Sequence, residues 1–304
     1  MDRLEAMGVL LQVVEAGNLS AAGRKLGVPL TTISRKIADL EGHLGARLLV
    51  RSNRHVTLTE AGQSYVAACK RILGDVAEAE RAASGAFSAV RGDLIVTAPL
   101  VFGRLHVLPV VTEFLQTYPQ IDIRLTLADR LLHMQDDHID LAFRIGALRD
   151  SSLMAVKVGA VRRVVCASPA YLAQHGTPVM PEDLGQHQCV TFSGLGNQDR
   201  WDFGPDGLQK SVRVRSRLMV NTAEAAIDAA VAGLGLTRVL SYQMAAAQRL
   251  GHLVTVLNAH EPAAAPVSLV YYGQGALPVK LRAFVDFAAQ RLKERLASQD
   301  GLSI

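Results

Sequence analysis

The chain lacks most of what marks secreted, membrane-spanning or metal-centred proteins. Its 304 residues include three cysteines, Cys69, Cys166 and Cys189. Their odd number and wide spacing give neither a disulfide framework nor a Cys-x-x-Cys pair, which points to a reducing, cytoplasmic setting. No uncharged apolar window approaches the roughly 18 residues that a bilayer requires. Met1-Asp2-Arg3-Leu4-Glu5-Ala6 has acids where a signal peptide has its apolar region. Catalytic signatures are missing as well: no H-E-x-x-H, P-loop or G-x-S-x-G occurs. Gly233-Leu234-Gly235 lacks a third glycine and precedes a strand, so it is no dinucleotide loop. His133 and His138 stand five apart with Asp136 and Asp137 between them, a spacing that spoils one-face helical placement and reads better as a solvated turn than as a metal site. No catalytic residue, metal or cofactor is expected, and the chain is not read as an enzyme.

What is present is length, apolar content and unevenly placed charge. The length predicts two or three units, and 49% hydrophobic residues suffice for large cores. The net charge is +4. Between Arg24 and Arg54, however, the seven cations Arg24, Lys25, Arg35, Lys36, Arg47, Arg51 and Arg54 face only Asp39 and Glu41, a local surplus of five. Such concentration is an electrostatic footprint for phosphate.

The same stretch reads as two helices around a tight turn. Leu19-Ser20-Ala21-Ala22 opens the first, with Ser20 as its N-cap. Gly27 suits a left-handed C-terminal position and Pro29 cannot continue the helix. The second helix starts at Leu30 or Thr31, and Ile33, Ile37, Leu40 and Leu44 form one buried stripe at helical period. The opposite face carries Thr31, Thr32, Ser34, Arg35 and Lys36, the hydroxyls and cations that read base edges and phosphates. Arg51-Ser52-Asn53-Arg54-His55 is then a hairpin tip between Leu48–Val50 and Val56–Leu58, a basic wing able to reach the minor groove.

From Ser20 to Gly62 the motifs Ser-Ala-Ala, Ile-Ser-Arg-Lys-Ile, Leu-Glu-x-x-Leu-Gly-x-x-Leu-Leu and Leu-Thr-Glu-Ala-Gly resemble the winged helix-turn-helix of LysR-type transcriptional regulators. Pro29 departs from the common pattern, in which a capping Ser stands there, so Thr31 is left as an alternative cap. The resemblance implies double-stranded promoter DNA as partner. Its DNA-binding set is Ser20, Leu30, Thr31, Thr32, Ser34, Arg35, Lys36, Arg51 and Arg54.

Along the rest of the chain, Asp2–Gly17 is an amphipathic scaffold helix on Leu4, Met7, Leu11 and Val14. Thr59 caps a helix from Glu60 to about Ala89. Its apolar positions Tyr65, Cys69, Ile72, Val76, Ala79 and Ala83 step by four and three, a coiled-coil seam favouring a dimer. Some thirty residues make a rod of about 45 Å. The resemblance also implies this pairing. Residues 84–92 form a hinge of small residues.

From Asp93 the pattern becomes α/β. Strands are expected at Leu94–Thr97, Ile121–Leu127, Ile139–Arg144, Met154–Val158 and Val161–Ala167. Helices are expected at Leu105–Tyr118, Asp129–Asp137 and Pro169–Gln174. Val212–Val220 reads as one half-exposed strand, Asn221 caps a helix Thr222–Ala232, and strands Leu234–Leu240 and Val267–Tyr272 precede a closing helix Val279–Ala297. With Asp140-Leu-Ala-Phe-Arg-Ile-Gly146, Val164–Leu172 and Ala232–Gly235 in this order, the region resembles the type 2 periplasmic-binding-protein fold of LysR-type regulators. The expected division is 1–58 for the DNA-binding domain, 59–91 for linker helix and hinge, and 92–304 for effector binding. Subdomain I comprises 92–162 and 268–304; subdomain II comprises 163–267.

Ligands of such folds sit at strand C-terminal ends and helix N-termini. Ala98–Gly103 is a strand-to-helix turn whose amides could hold a carboxylate. Arg144 is a cation in an apolar run, facing an anion or paired with an acid such as Asp129. The effector set is Pro99, Leu100, Val101, Phe102, Gly103, Arg144, Thr191, Phe192, Asn221, Thr222, Leu234 and Gly235, around a small effector expected to be a carboxylate with an apolar body. Cys166 and Cys189 are weighed as a redox pair, but apolar neighbours favour inert thiols. The reading is a ligand-controlled, DNA-binding regulator, dimeric through the linker and assembling to a tetramer that contacts RNA polymerase. The alternative, a solute-binding protein sharing only the C-terminal fold, needs an export signal and no basic N-terminal domain.

Overall fold

Glycines and small polar caps set the helix ends in the first part of the chain. A computed structural model describes residues 2–51, 55–83, 90–130, 134, 137–148, 153–193, 199–204, 210–273 and 277–300. The chain divides into two units, Met1–Ala89 and Val90–Ile304.

In the first unit, helix α1 (Arg3–Ala16) is capped by the Asp2 carboxylate, which accepts from Glu5 N, and ends at left-handed Gly17. Helix α2 (Leu19–Leu26) is capped not by Ser20 but by Asn18, whose Oδ1 accepts from Ala21 N at 2.7 Å. Asn18 is one residue before the first helical turn, where a side-chain oxygen reaches the free amides; Ser20 is already inside the helix. Gly27 ends α2 at φ 68°. Helix α3 (Leu30–Leu44) starts directly after Pro29, whose carbonyl accepts from Thr32 N and Ile33 N. Thr31 therefore lies in the first turn and caps nothing. Ile33, Ile37 and Leu40 are fully buried, whereas Leu44 is 37% exposed, because the helix ends beside it at Gly45.

Strands β1 (Leu49–Arg51) and β2 (Val56–Leu58) pair antiparallel. Glu41 ties the recognition helix to this hairpin: its Oε1 accepts from Leu48 N at 2.8 Å and Leu49 N at 3.1 Å. Thr59 caps helix α4 (Glu60–Ala83), accepting from Gly62 N and donating to the Arg47 carbonyl. Tyr65, Val66 and Cys69 pack into the core that α1 and α3 share. The expected intermolecular seam is corrected there: its first two positions face the chain's own domain. Ile72 and Val76 stay half-buried, while Ala79, Ala83 and the hinge residues 84–89 lie outside the described side chains.

In the second unit, β3 (Gly92–Ala98) lies parallel to β4 (Ile121–Leu127) and β5 (Leu141–Ile145). Asp140 anchors β5, its Oδ2 accepting from Ile95 N at 2.7 Å. The helix after β3 begins at Leu100 rather than Leu105: α5 (Leu100–Phe102) runs through a π-helical turn, Gly103–Val107, into α6 (Leu108–Thr117). A Cβ at Gly103 would stand 2.2 Å from Leu127 Cδ2, so the Leu127 side chain would have to move to admit one. Of the helix expected at Asp129–Asp137, the described residues Asp129, Arg130, Met134 and Asp137 form bends and turns. His133 and Asp136 lie outside the described residues.

The first sheet is completed by β6 (Leu153–Val161) and by a strand arriving from the far end of the chain; the first crossing segment, at Arg162, leads to β7 (Arg163–Ala167) in a second sheet. Ser168 caps α7 (Pro169–His175), and the hydroxyl of Tyr171 accepts from Gln188 N at 3.0 Å. After a 3-10 turn at Pro181–Gln186 come β8 (Gln188–Phe192), β9 (Arg200–Phe203), β10 (Lys210–Arg213) and β11 (Arg215–Val220). The single strand expected at Val212–Val220 is thus two strands in two sheets, broken at buried Val214. Thr222, not Asn221, caps α8 (Ala223–Val231), its Oγ1 accepting from Ala225 N. Then follow β12 (Leu236–Leu240), α9 (Ser241–Arg249) and β13 (Val254–Val256). The chain recrosses to β14 (Ala265–Tyr272), which joins the first sheet from Ala265 rather than from Val267, and closes with α10 (Val279–Asp300).

Among the described residues the two large sheets run β4-β3-β5-β14-β6 and β11-β8-β12-β7-β13. The first buries Phe114, Phe143 and Phe284 under α6 and α10. Burying each such ring contributes roughly 1.5–3 kcal/mol. Leu240 and Tyr242, from the second lobe, also enter this core. The second sheet packs α8 and α9 on one face, and α7 with the β9–β10 hairpin on the other.

Candidate nucleic-acid interface and ligand cleft

Burial of Ile33, Ile37 and Leu40 turns the opposite side of α3 outward. Leu30, Thr31 and Arg35 are exposed there, with Thr32 and Ser34 half-buried beside them. Leu30, 47% exposed, is an apolar contact suited to a thymine methyl. Ser20 is exposed near the start of α2. The turn is tight because a Cβ on Gly23 would stand 2.9 Å from the Val28 carbonyl. Lys36 is half-buried, and its Nζ pairs with Glu5 on α1. Lys25 pairs with Glu15 at 2.9 Å. Arg51 belongs by its backbone to β1; its side chain, and Arg54, expected on the wing, lie outside the described residues.

The effector set is scattered more widely than expected. Val101 and Phe102 are buried in the core of the first lobe and Phe192 in that of the second, so none of the three lines an open wall. Gly103 is buried as a packing contact. Thr191, 2% exposed, shares a hydrogen bond with Ser216 Oγ at 2.7 Å. Gly235 is buried because the β8 backbone passes against it: a Cβ there would be 2.2 Å from the Gln188 carbonyl. Pro99, Leu100, Thr222 and Leu234 are half-buried and Asn221 is exposed.

The two helix starts hold acids. Asp129 Oδ1 accepts from Leu100 N at 2.9 Å, which puts the chain's own carboxylate where an incoming one was expected. Its partner is thus an amide rather than Arg144. At the start of α8, Glu224 Oε2 is buried without a hydrogen-bond partner among the described residues. Asp129 and Glu224 both act on Tyr242, whose hydroxyl is held above its ordinary range by burial first and then by these two charges. Arg144 is half-buried near the end of β5, and burial lowers its pKa.

Cys166 and Cys189 pair with consecutive residues of β12, Thr237 and Leu236, so they point to opposite faces of the sheet. Burial pushes each thiol up to about 12. Neither a mutual disulfide nor a reactive thiolate fits that placement. Among the described residues no helix is long and apolar enough to cross a membrane, and no group of three or more His, Cys, Asp or Glu could hold a metal ion.

Asp129 as a cap, Glu224, half-buried Arg163 and buried Arg238 were not anticipated from the sequence. The signal for Arg238 was in plain view: a cation inside Leu236-Thr-Arg-Val-Leu240, the same pattern that singled out Arg144.

Comparison with known proteins agrees with this geometry. Residues 4–63 match the family model of the bacterial regulatory helix-turn-helix protein, lysR family, and residues 88–293 that of the LysR substrate binding domain. An HTH-type transcriptional repressor of Pseudomonas aeruginosa is 34% identical, over 97% of this chain and 93% of its own length. The solved structure of CrgA, a LysR-type transcriptional regulator from Neisseria meningitidis, is 30% identical with a TM-score of 0.60, over 95% of this chain and 98% of that one. The full-length Vibrio cholerae virulence activator AphB is 29% identical with a TM-score of 0.59, over 95% and 99%. With an outward helix on a helix-turn-helix core, a two-sheet unit following it in the chain and family matches across both, this chain belongs to the LysR family of transcriptional regulators.

Proposed function

We propose that the chain reads a pseudo-palindromic promoter site as a dimer and that a small effector between the two lobes of its second unit controls the outcome. One observation carries the first half: Leu30, Thr31 and Arg35 project from α3 while Ile33, Ile37 and Leu40 are wholly buried. Thr31, Ser34 and Arg35 serve as base readers, with Arg51 and Arg54 on the wing. Ile72 and Val76 leave the later part of α4 for pairing with a second copy, which presents two reading heads one helical turn or more apart.

The second half rests on two sheets joined by two crossing segments, a build in which lobes can close on a ligand. Asp129 and Glu224 at the helix starts turn recognition there toward a hydrogen-bond donor and away from the expected carboxylate. Closure changes how dimers pair into a tetramer, and with it DNA bend and contact with RNA polymerase, in the cytoplasm. The shift can be no larger than the ligand's differential affinity for the two states. Selection of bound sequences from a random pool by the purified protein tests the reading. Recovery of a two-fold motif is expected; recovery of no motif at low ionic strength, with the heads folded, overturns it.

A further inference from the structure

Arg238 sits in the middle of β12, a strand buried at every position, and is 5% exposed. On the neighbouring β7, Val165 stands opposite Arg238 and Arg163 opposite Leu240. Alternation along paired strands puts Arg163, Val165, Arg238 and Leu240 on one face of the sheet. The β9–β10 hairpin covers that face. Its Trp201 ring centroid lies 5.4 Å from the Arg238 guanidinium carbon, and the Asp202 carbonyl accepts from Arg238 Nη1 at 3.3 Å.

Two guanidiniums therefore share one covered face with too little negative charge. Asp202 is the acid that acts on both. Among the described residues no ion pair joins either guanidinium to a carboxylate. Glu261, the nearest acid along the crossing segments, engages Arg162 instead. Arg163 Nε is buried and has no hydrogen-bond partner among the described residues, while the residue as a whole is half-buried. Burial, and then the like charge of Arg163, drives the Arg238 pKa down to about 9 against the pull of Asp202. An uncompensated cation in such a place is costly, and a guanidinium cannot shed its charge as readily as an amine. A bound anion removes the imbalance.

We propose that Arg163 and Arg238 form an oxyanion site on the hairpin-covered face of the second sheet, taking the carboxylate or phosphate group of a small molecule. The planar fork of each guanidinium suits either group. The site is separate from the helix starts, where the chain's own acids stand, and it does not depend on the cleft reading. Arg163 follows directly on the first crossing segment, so an anion held there acts where the lobes join.

Trp201 is the single tryptophan of the chain, so its emission reports on this site alone. Inorganic phosphate and, separately, acetate are titrated into the full-length protein at constant ionic strength set with sodium chloride. A saturable change in Trp201 emission is expected with at least one of them, and Arg163→Gln should weaken it about tenfold or more while circular dichroism stays unchanged. Saturation by phosphate alone identifies a phosphate ligand; saturation by acetate identifies a carboxylate. If Arg163→Gln does not fold, Arg163→Lys, which keeps the charge and loses the fork, should show an intermediate loss. A change that is linear, that chloride reproduces, or that survives the substitution unaltered overturns the proposal.

Discussion

Arg162 and Glu261, 99 residues apart in sequence, join the two crossing segments of the second unit: Arg162 Nη1 donates to both carboxylate oxygens of Glu261 at 3.2 Å. The Arg162 carbonyl also accepts from Ser241 N at 2.8 Å, fixing the start of α9 to the same segment. Burial raises the Glu261 pKa, with Arg162 opposing. An acid whose folded pKa is raised favours the folded state below its unfolded pKa and loses that contribution as pH rises through the folded value. At neutral pH the pair is therefore a positional clasp rather than a large source of stability, the more so because the Arg162 side chain is 40% exposed. Glu261→Gln should change unfolding free energy by less than about 1 kcal/mol, yet speed amide exchange in residues 257–264. Unaltered exchange there would remove the clasp.

Arg35 and Lys36 are neighbours in sequence with different expected effects on DNA. Arg35→Ala should cost about 1–3 kcal/mol on the selected site and relax specificity at one base pair. Lys36→Met should leave the salt dependence of binding nearly unchanged, because Glu5 already holds its ammonium. Glu5→Gln should do the opposite, releasing Lys36 and steepening the salt slope by up to about one phosphate contact. Filter binding at several salt concentrations checks all three; a shallower slope for Lys36→Met would restore the phosphate role.

Much of this was legible because the signals were local. Gly27 and Pro29, the Ile33-Ile37-Leu40 stripe and the cap at Thr59 depend on a few neighbouring residues, and the structure has each of them. The errors came where one residue's distance from a helix end decided the outcome: Asn18 for Ser20, Thr222 for Asn221. They also came where a distant partner decided it. Asp129 is 29 residues from the amide it caps, and no periodicity announces that. Likewise, an apolar residue at the end of an element, such as Phe102 or Phe192, reads the same whether it faces core or ligand. The juxtaposition of Arg238 with Arg163 was hidden by topology, since the second guanidinium stands 75 residues earlier, on a strand that only pairing brings alongside.

Gly235 and Gly185 make a matched pair. A methyl group on Gly235 would meet the Gln188 carbonyl at 2.2 Å, where backbone of the adjacent strand cannot yield; at Gly185 nothing lies within 4 Å. Overpacking of the first kind should destabilise the second unit by about 1–3 kcal/mol, and Gly185→Ala should stay within about 0.5 kcal/mol of the parent. Denaturant midpoints for the two variants make the comparison, and equal midpoints would contradict the close approach of β8 and β12.

His106 is 2% exposed, and neither ring nitrogen has a hydrogen-bond partner among the described residues. Its ring lies against Phe102 and Tyr242, with centroids 4.9 and 5.4 Å away. Burial first, and the positive charge of Arg295 second, push its pKa down from 6.5 to about 4. The folded state thus prefers the neutral ring. Above the unfolded pKa the group adds no pH dependence. As pH falls from about 6.5 toward 4 the unfolded chain binds a proton that the folded chain refuses, so stability drops, on the order of 3 kcal/mol in all. His106→Phe should abolish that acid-side loss. It should also raise stability at pH 7 by about 1 kcal/mol or more, since two buried polar atoms without partners are replaced by carbon. Unfolding curves for both proteins at pH 7.5, 6 and 5 decide the matter. Parallel stability profiles would mean that another group supplies the acid sensitivity and that the imidazole has found a partner.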